Sequence, residues 1–240
     1  MKASGPRGRW RISMSDNNKQ DDKQADRPGN RTADRPDHGN AGSRFTGGTI
    51  GYAAHGNLYL NITNRCSAKC SFCIRDLCDG VYGYNLWLSA EPTYEEIIDE
   101  LKNTDLSRYK EVVFTGFGEP TCRFDTLLQV TAWLREKGKR VRLDTNGHAK
   151  LMYPDRDVVA ELKAAGMRSV SISLNAESKE KYDQLCRPAF SDAYNSLLEF
   201  AKESVKAGMR TQMTVVGVPG IDISACEKIA AGLGATFRVR

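Results

Sequence analysis

The sequence predicts an α/β fold on parallel strands, either an incomplete barrel of six strand-helix units or an open doubly wound sheet. Three observations predict it. Beyond residue 50, short apolar, β-branched runs alternate with longer helical patterns. The links between them are short, as parallel strands joined by right-handed crossovers require. The strands number six, and residues 51–240 are fewer than the roughly 250 that a complete eight-stranded barrel uses.

The strand segments are LYLNIT (58–63), EVVFTG (111–116), VRLDT (141–145), SVSISL (169–174), QMTVVG (212–217) and TFRVR (236–240). Each reads as a strand buried on both faces. The helical segments are TYEEIIDELKNT, with Thr93 as a cap before an acidic first turn, then FDTLLQVTAWLREKG, DVVAELKAAG, AYNSLLEFAKESVKAG and SACEKIAAGLG. Several end in glycine, as helix C-termini do. In either architecture the chemistry belongs at the C-terminal ends of the strands.

A chain of 240 residues, 40% hydrophobic and 27% charged, can bury a real core. No run approaches the roughly 18 apolar residues of a membrane span. The basic N-terminus leads into polar residues instead of a signal-peptide core, so the cytoplasm is the expected compartment. Of the net charge of +5, residues 1–48 carry +4, from ten Lys/Arg against six Asp/Glu. The nearly neutral remainder argues against a nucleic-acid face. Residues 1–50 have almost nothing to bury and are expected to form a disordered polar tail, or to reflect a start truly at Met14. Residues 51–240 are the expected core domain. The basic run REKGKRVR (135–142) marks a helix end, a glycine turn and a strand start.

Four of seven cysteines fall in NRCSAKCSFCIRDLC (64–78), directly after the first strand. Outside an oxidising compartment such crowding reads as metal ligation. Cys66, Cys70 and Cys73 form C-x3-C-x2-C, which lets one loop offer three thiolates to three corners of a four-iron cubane and leave one corner open. The rivals are a zinc site recruiting Cys78 and, behind it, a disulfide knot. Polar and glycine-rich segments follow the other strands: TGFGEP, DTNG, SLNA and GVPGID.

NRCSAKCSFC, with Phe72 just before the third cysteine, and TGFGEP after the second strand resemble the motifs of the radical S-adenosylmethionine (SAM) superfamily. The resemblance spans residues 55–240. YLNITNRCSAKCSFCIRD, LDTNG, SISLNA and FRVR further resemble a subfamily associated with TatD-type hydrolases. The resemblance implies an incomplete (β/α)6 TIM-like barrel of the radical SAM type. It implies a 4Fe-4S cluster and SAM, which is reductively cleaved to methionine and a 5'-deoxyadenosyl radical. It also implies an electron donor such as flavodoxin or ferredoxin, and a TatD-type hydrolase as a partner.

Carried over by residue, Cys66, Cys70 and Cys73 hold the cluster, while Gly116, Gly118 and Glu119 receive SAM's methionine ammonium. Phe117 departs from the pattern, since many relatives have adjacent glycines there. Ser173, Asn175 and Asn146, with Asp144 and Thr145, are candidates for SAM's ribose or carboxylate, and Gly217–Gly220 for its adenine edge; plain turns are the alternative for each. Arg65, Lys69 and Arg75 would offset thiolate charge, or are simply exposed cations. Arg238 and Arg240 share one face of the last strand and read as solvated edge residues; pointing inward, they would pair with a carboxylate or phosphate.

Cys78, Cys122, Cys186 and Cys226 read as structural thiols, with Cys186 the one placed to face the cavity as a hydrogen donor. His55 and His148 read as ordinary loop residues. No residue is assigned a catalytic role and the substrate is unknown. The alternatives within the class are a 7-carboxy-7-deazaguanine synthase-like enzyme and a glycyl-radical activating enzyme; outside it, a zinc-stabilised binding module.

Overall fold

The computed structural model describes residues 47–240. The expected tail lies outside them apart from residues 47–50, and these are already packed. Ile50 joins the core and the Thr49 N–H donates to the Asn85 carbonyl at 2.7 Å.

Two strands, β1 (Gly51–Ala54) and β2 (Asn57–Leu60), form an antiparallel pair, and a small hairpin of β3 (Gly80–Val81) and β4 (Tyr84–Asn85) follows the cysteine loop. Helix and strand then alternate. The order is α1 (Tyr94–Lys102), β5 (Val112–Phe114), α2 (Phe124–Glu136), β6 (Val141–Thr145), α3 (Ala149–Met152), α4 (Val158–Ala165), β7 (Ser169–Ser173), α5 (Lys179–Cys186), α6 (Ala193–Lys206), β8 (Arg210–Val215), α7 (Ile223–Gly232) and β9 (Thr236–Val239). Thr93 caps α1 in a full capping box with Glu96, each side chain accepting from the other's backbone N–H.

Strand order separates the two architectures that the sequence allows. The sheet runs β1-β2-β5-β6-β7-β8-β9, and β2 through β9 are parallel and adjacent in chain order. A doubly wound sheet reverses direction at a switch point. This one winds one way and stays open between β1 and β9, as an incomplete barrel does.

The expectation of strands buried on both faces holds for β5 and β7, where Val113, Ser169 and Ser171 are buried as well, and is corrected for β6 and β9. Leu58, Leu60, Val112, Phe114, Val141, Leu143, Val170, Ile172, Met213 and Val215 point to one side, where helices cover them in a single apolar core. The alternate positions, including Arg142, Asp144, Ser171, Ser173, Gln212 and Arg238, face the concave side. The period-2 alternation in VRLDT and TFRVR therefore marks strands whose concave face is left partly open. Near β1 and β2 the concave side is apolar instead. Tyr52, Leu86 and Phe117 form a second cluster there, with Tyr59, Tyr84 and Trp87 packed against it.

Leu143 sits fully buried between Phe114 and Val170 on neighbouring strands. Leu143→Ala is expected to cost about 3 kcal/mol of stability, read from chemical-denaturation midpoints.

Candidate functional site

The cysteine loop leaves the C-terminal end of β2 and lies along the C-terminus of α5. Helix ends leave carbonyls without partners, and here the loop supplies donors. Lys69 N–H reaches the Cys186 carbonyl at 3.0 Å, and Ser71 N–H the Leu185 carbonyl at 2.8 Å; Ala189 N–H returns to the Ser67 carbonyl at 2.8 Å. Arg187 closes the helix in the left-handed conformation, with φ 45°. Within the loop, Cys73 N–H donates to the Cys70 carbonyl at 3.1 Å.

The TGFGEP turn after β5 grips the other side of the loop. A side chain at Gly118 would place its Cβ 2.2 Å from the Thr63 carbonyl oxygen and 2.6 Å from that of Arg65. Gly116 has φ +146°, and a Cβ there would meet the Asn61 amide oxygen at 2.2 Å. Both positions thus require glycine. Phe117, between them, is buried and packs edge-on against Trp87 with ring centroids 5.1 Å apart.

Glu119 ties this turn to the end of β6. Its carboxylate is 3% exposed and accepts from Thr121 N (3.1 Å), Thr121 Oγ1 (2.7 Å), Thr145 Oγ1 (2.8 Å) and Asn146 N (2.7 Å). Burial raises its pKa while these donors oppose the rise. Asn146 Nδ2 in turn donates to Ser67 Oγ at 2.9 Å and lies 3.9 Å from Cys66 Sγ. Cys66, Glu119 and Asn146 are thus brought into one network.

Asn175 belongs to a neighbouring group. It is buried, its Nδ2 reaches Cys186 Sγ at 3.6 Å and its Oδ1 has no partner. Cys186 itself is buried, and its thiol lies near enough to that of Cys70 for the two to influence each other's protons. Of the other spare cysteines, Cys226 is buried and Cys122 half-buried, while Cys78 is exposed, which corrects its reading as a structural core thiol. Ser173 stands apart from these groups and accepts from Arg240 Nη2 at 2.9 Å. Arg240 thus reaches across the concave face to β7, while Arg238 and Arg240 both stay exposed, as the reading of them as edge residues expects.

His148 is the residue that sequence reasoning missed. It is fully buried, with Nδ1 2.9 Å from Ser67 Oγ and Nε2 2.7 Å from the Tyr182 hydroxyl. A neutral imidazole can donate through one nitrogen and accept through the other, so it bridges the cysteine loop to α5. Nothing local in TNGHAK signals this, because its partners lie 81 and 34 residues away. His55, by contrast, is an exposed turn residue bonded to the Tyr82 hydroxyl.

Three thiols on one loop suit an iron cluster as donors. Burial, with the Glu119 carboxylate adding, pushes Cys66 up to about 12, and burial also raises Cys73. The nearby Cys186 thiol holds Cys70 up. As free side chains they keep their protons, and ligation to iron would release them. Arg75 opposes the rise at all three, whereas Arg65 is spent on a two-point ion pair with Glu91 at 2.7 and 3.0 Å. Lys69 is exposed. Among the described residues, no three Cys, His, Asp or Glu side chains stand in ready-made metal geometry. Among them, too, no helix is long and apolar enough to cross a membrane.

Residues 60–231 match the sequence profile of the radical SAM superfamily. The chain belongs to the radical SAM superfamily. Among relatives within this superfamily of enzymes, Fe-coproporphyrin III synthase of Methanosarcina barkeri is 33% identical over 175 residues, covering 70% of this chain and 41% of that protein. A probable GTP 3',8-cyclase of Saccharolobus islandicus is 30% identical over 154 residues, 64% of this chain and 44% of its own. The chain thus spans less than half the length of these relatives.

Two solved radical SAM structures share the fold. Streptococcus suis SuiB bound to the precursor peptide SuiA superposes with a TM-score of 0.60 at 16% identity, over 75% of this chain and 38% of that one. A radical SAM methyltransferase from Sphaerobacter thermophilus gives 0.56 at 17% identity, over 79% and 57%.

Two measurements check this account of the site. Gly118→Ala is expected to displace the start of the cysteine loop and lower the iron retained after anaerobic reconstitution several-fold, with the fold kept by circular dichroism. His148 gives a pH test, because burial holds its imidazole down to about 4, whereas the free side chain titrates near ~6.5. The unfolded chain takes up that proton first, so the stability due to neutral His148 is full above about pH 6.5 and lost as pH falls to about 4. Asp144, pushed up to about 6 by burial, acts with the opposite sign over part of this range. His148→Gln is therefore compared with the parent at each pH, where its thermal midpoint is expected to fall less on acidification.

Proposed function

We propose that the chain is a SAM-cleaving radical enzyme of the TatD-associated group, acting in the cytoplasm on a substrate not yet identified. The observation that carries this reading is the C-x3-C-x2-C loop, seated at the C-terminal end of β2 between the Gly118 turn and α5. Cys66, Cys70 and Cys73 would hold a 4Fe-4S cluster through three sulfurs. Such a cluster, with SAM bound, would supply the one-electron chemistry that splits the sulfonium C–S bond into methionine and a 5'-deoxyadenosyl radical.

The protein's part is position and field. The glycine turn offers backbone carbonyls at Gly116 and Gly118 for the methionine ammonium. Glu119, already taking four hydrogen bonds, keeps that turn and Asn146 in register. Asn175 Oδ1, buried and unpartnered, is an acceptor suited to a ribose hydroxyl. Arg75 lowers the cost of negative charge on the thiolates. A flavodoxin- or ferredoxin-type donor would supply the electron, and a TatD-type hydrolase is the proposed partner.

Anaerobically purified protein is expected to be brown, to contain iron with acid-labile sulfide, and to release 5'-deoxyadenosine when reduced in the presence of SAM. Cys70→Ala is expected to abolish that release. Colourless, zinc-loaded protein without sulfide would overturn the reading.

A further inference from the structure

The concave side of β6 to β9 is lined with polar side chains, where a closed barrel would pack branched apolar ones. Its charges are unevenly shared. Arg142 is occupied, with Nε 3.0 Å from Glu111 Oε1 and Nη1 2.7 Å from Asp144 Oδ1. Arg238 and Arg240 are not. Among the described residues neither has a carboxylate within ion-pair distance, and Arg240 donates one side-chain hydrogen bond, to the neutral Ser173 hydroxyl at 2.9 Å. A guanidinium carries five donors in a planar fork, so most of this pair's capacity is unspent.

Register and alternation place the two together. Arg238 pairs with Thr214, which pairs with Ser173, so Arg238 stands level with the upper end of β7. Arg240 is two residues on and therefore on the same face. Two like charges side by side repel, and an oxyanion lying between them removes that cost. Arg240 is also close enough to Asp144 and to Cys70 for their charges to act on it.

We propose that Arg238 and Arg240 anchor an oxyanion, a carboxylate or a phosphate, carried by the substrate. This rests on the reading of the chain as a SAM-cleaving enzyme. The anchored group would lie at the β9 edge, holding the rest of the substrate across the concavity toward the cysteine loop. A broad nucleic-acid face is not implied, because two cations in one concavity recognise one or two oxyanions and not a polyanion.

The test uses the full-length, anaerobically reconstituted protein and titrates it calorimetrically with pyrophosphate, inorganic phosphate or succinate at fixed ionic strength. One of these probes is expected to bind with a Kd below about 10 mM. R238Q or R240Q should each weaken that probe about tenfold, the loss of a charge-assisted contact, and the double variant should abolish binding. R240K, which keeps the charge without the fork, should fall between R240Q and the parent. Iron content and circular dichroism verify that the variants are folded and loaded.

Preference for the phosphates or for succinate identifies the group, and either supports the proposal. It is overturned if no probe binds the parent, if the double variant binds as the parent does, or if the variants lose affinity for SAM while keeping it for the probe. Failure of the underlying reading is separate: the parent would then lack iron and sulfide and release no 5'-deoxyadenosine, whatever the probes do.

Discussion

The site depends on how the backbone of one loop finds its hydrogen-bond partners. A stretch of consecutive cysteine, serine and lysine residues has no core of its own, and buried N–H groups without acceptors are costly. The C-terminus of α5 has the opposite need, with carbonyls left over. Joining the two satisfies both, and the Ser67–His148–Tyr182 chain adds a side-chain tie at the same seam. On the far side the glycine turn admits the loop only because Gly118 has no Cβ. The three thiols are thus carried on a segment whose path is set by a helix 110 residues or so further along the chain.

Much of this architecture was legible in the sequence. All six parallel strands fall within three residues of the segments predicted for them, and five long helices match theirs. Those elements carry strong local signals: β-branched runs, an apolar stripe, Thr93 with Glu96, and glycines at helix ends. The two hairpins were not foreseen, since β3 and β4 are two residues each and the antiparallel β1 is held by a tyrosine pair across strands. The facing of β6 and β9 was read wrongly, because a short alternating run was taken for one buried on both sides; the register of neighbours separates the two.

The site divides in the same way. Cysteine spacing and the TGFGEP turn are local patterns, and both lie where strand order would put a ligand. The roles of His148, Ser67 and Tyr182 are set by contacts across the fold, and no spacing announces them. Glu119 is intermediate. Its place in the motif was evident, but the four donors around it come from its own turn and from β6 and the residue after it, which only the folded chain brings together.

Phe117 has a wider consequence than its departure from a glycine pair suggests. Its ring is fastened to Trp87, beside Tyr52 and Leu86, so the turn flanking the thiols shares one apolar plug with the edge strand and the small hairpin. That plug fills the concavity at the β1 and β2 end and leaves it polar at the other. The bowl is therefore lopsided among the described residues, with an oily wall at one end and a wettable, arginine-bearing rim at the other.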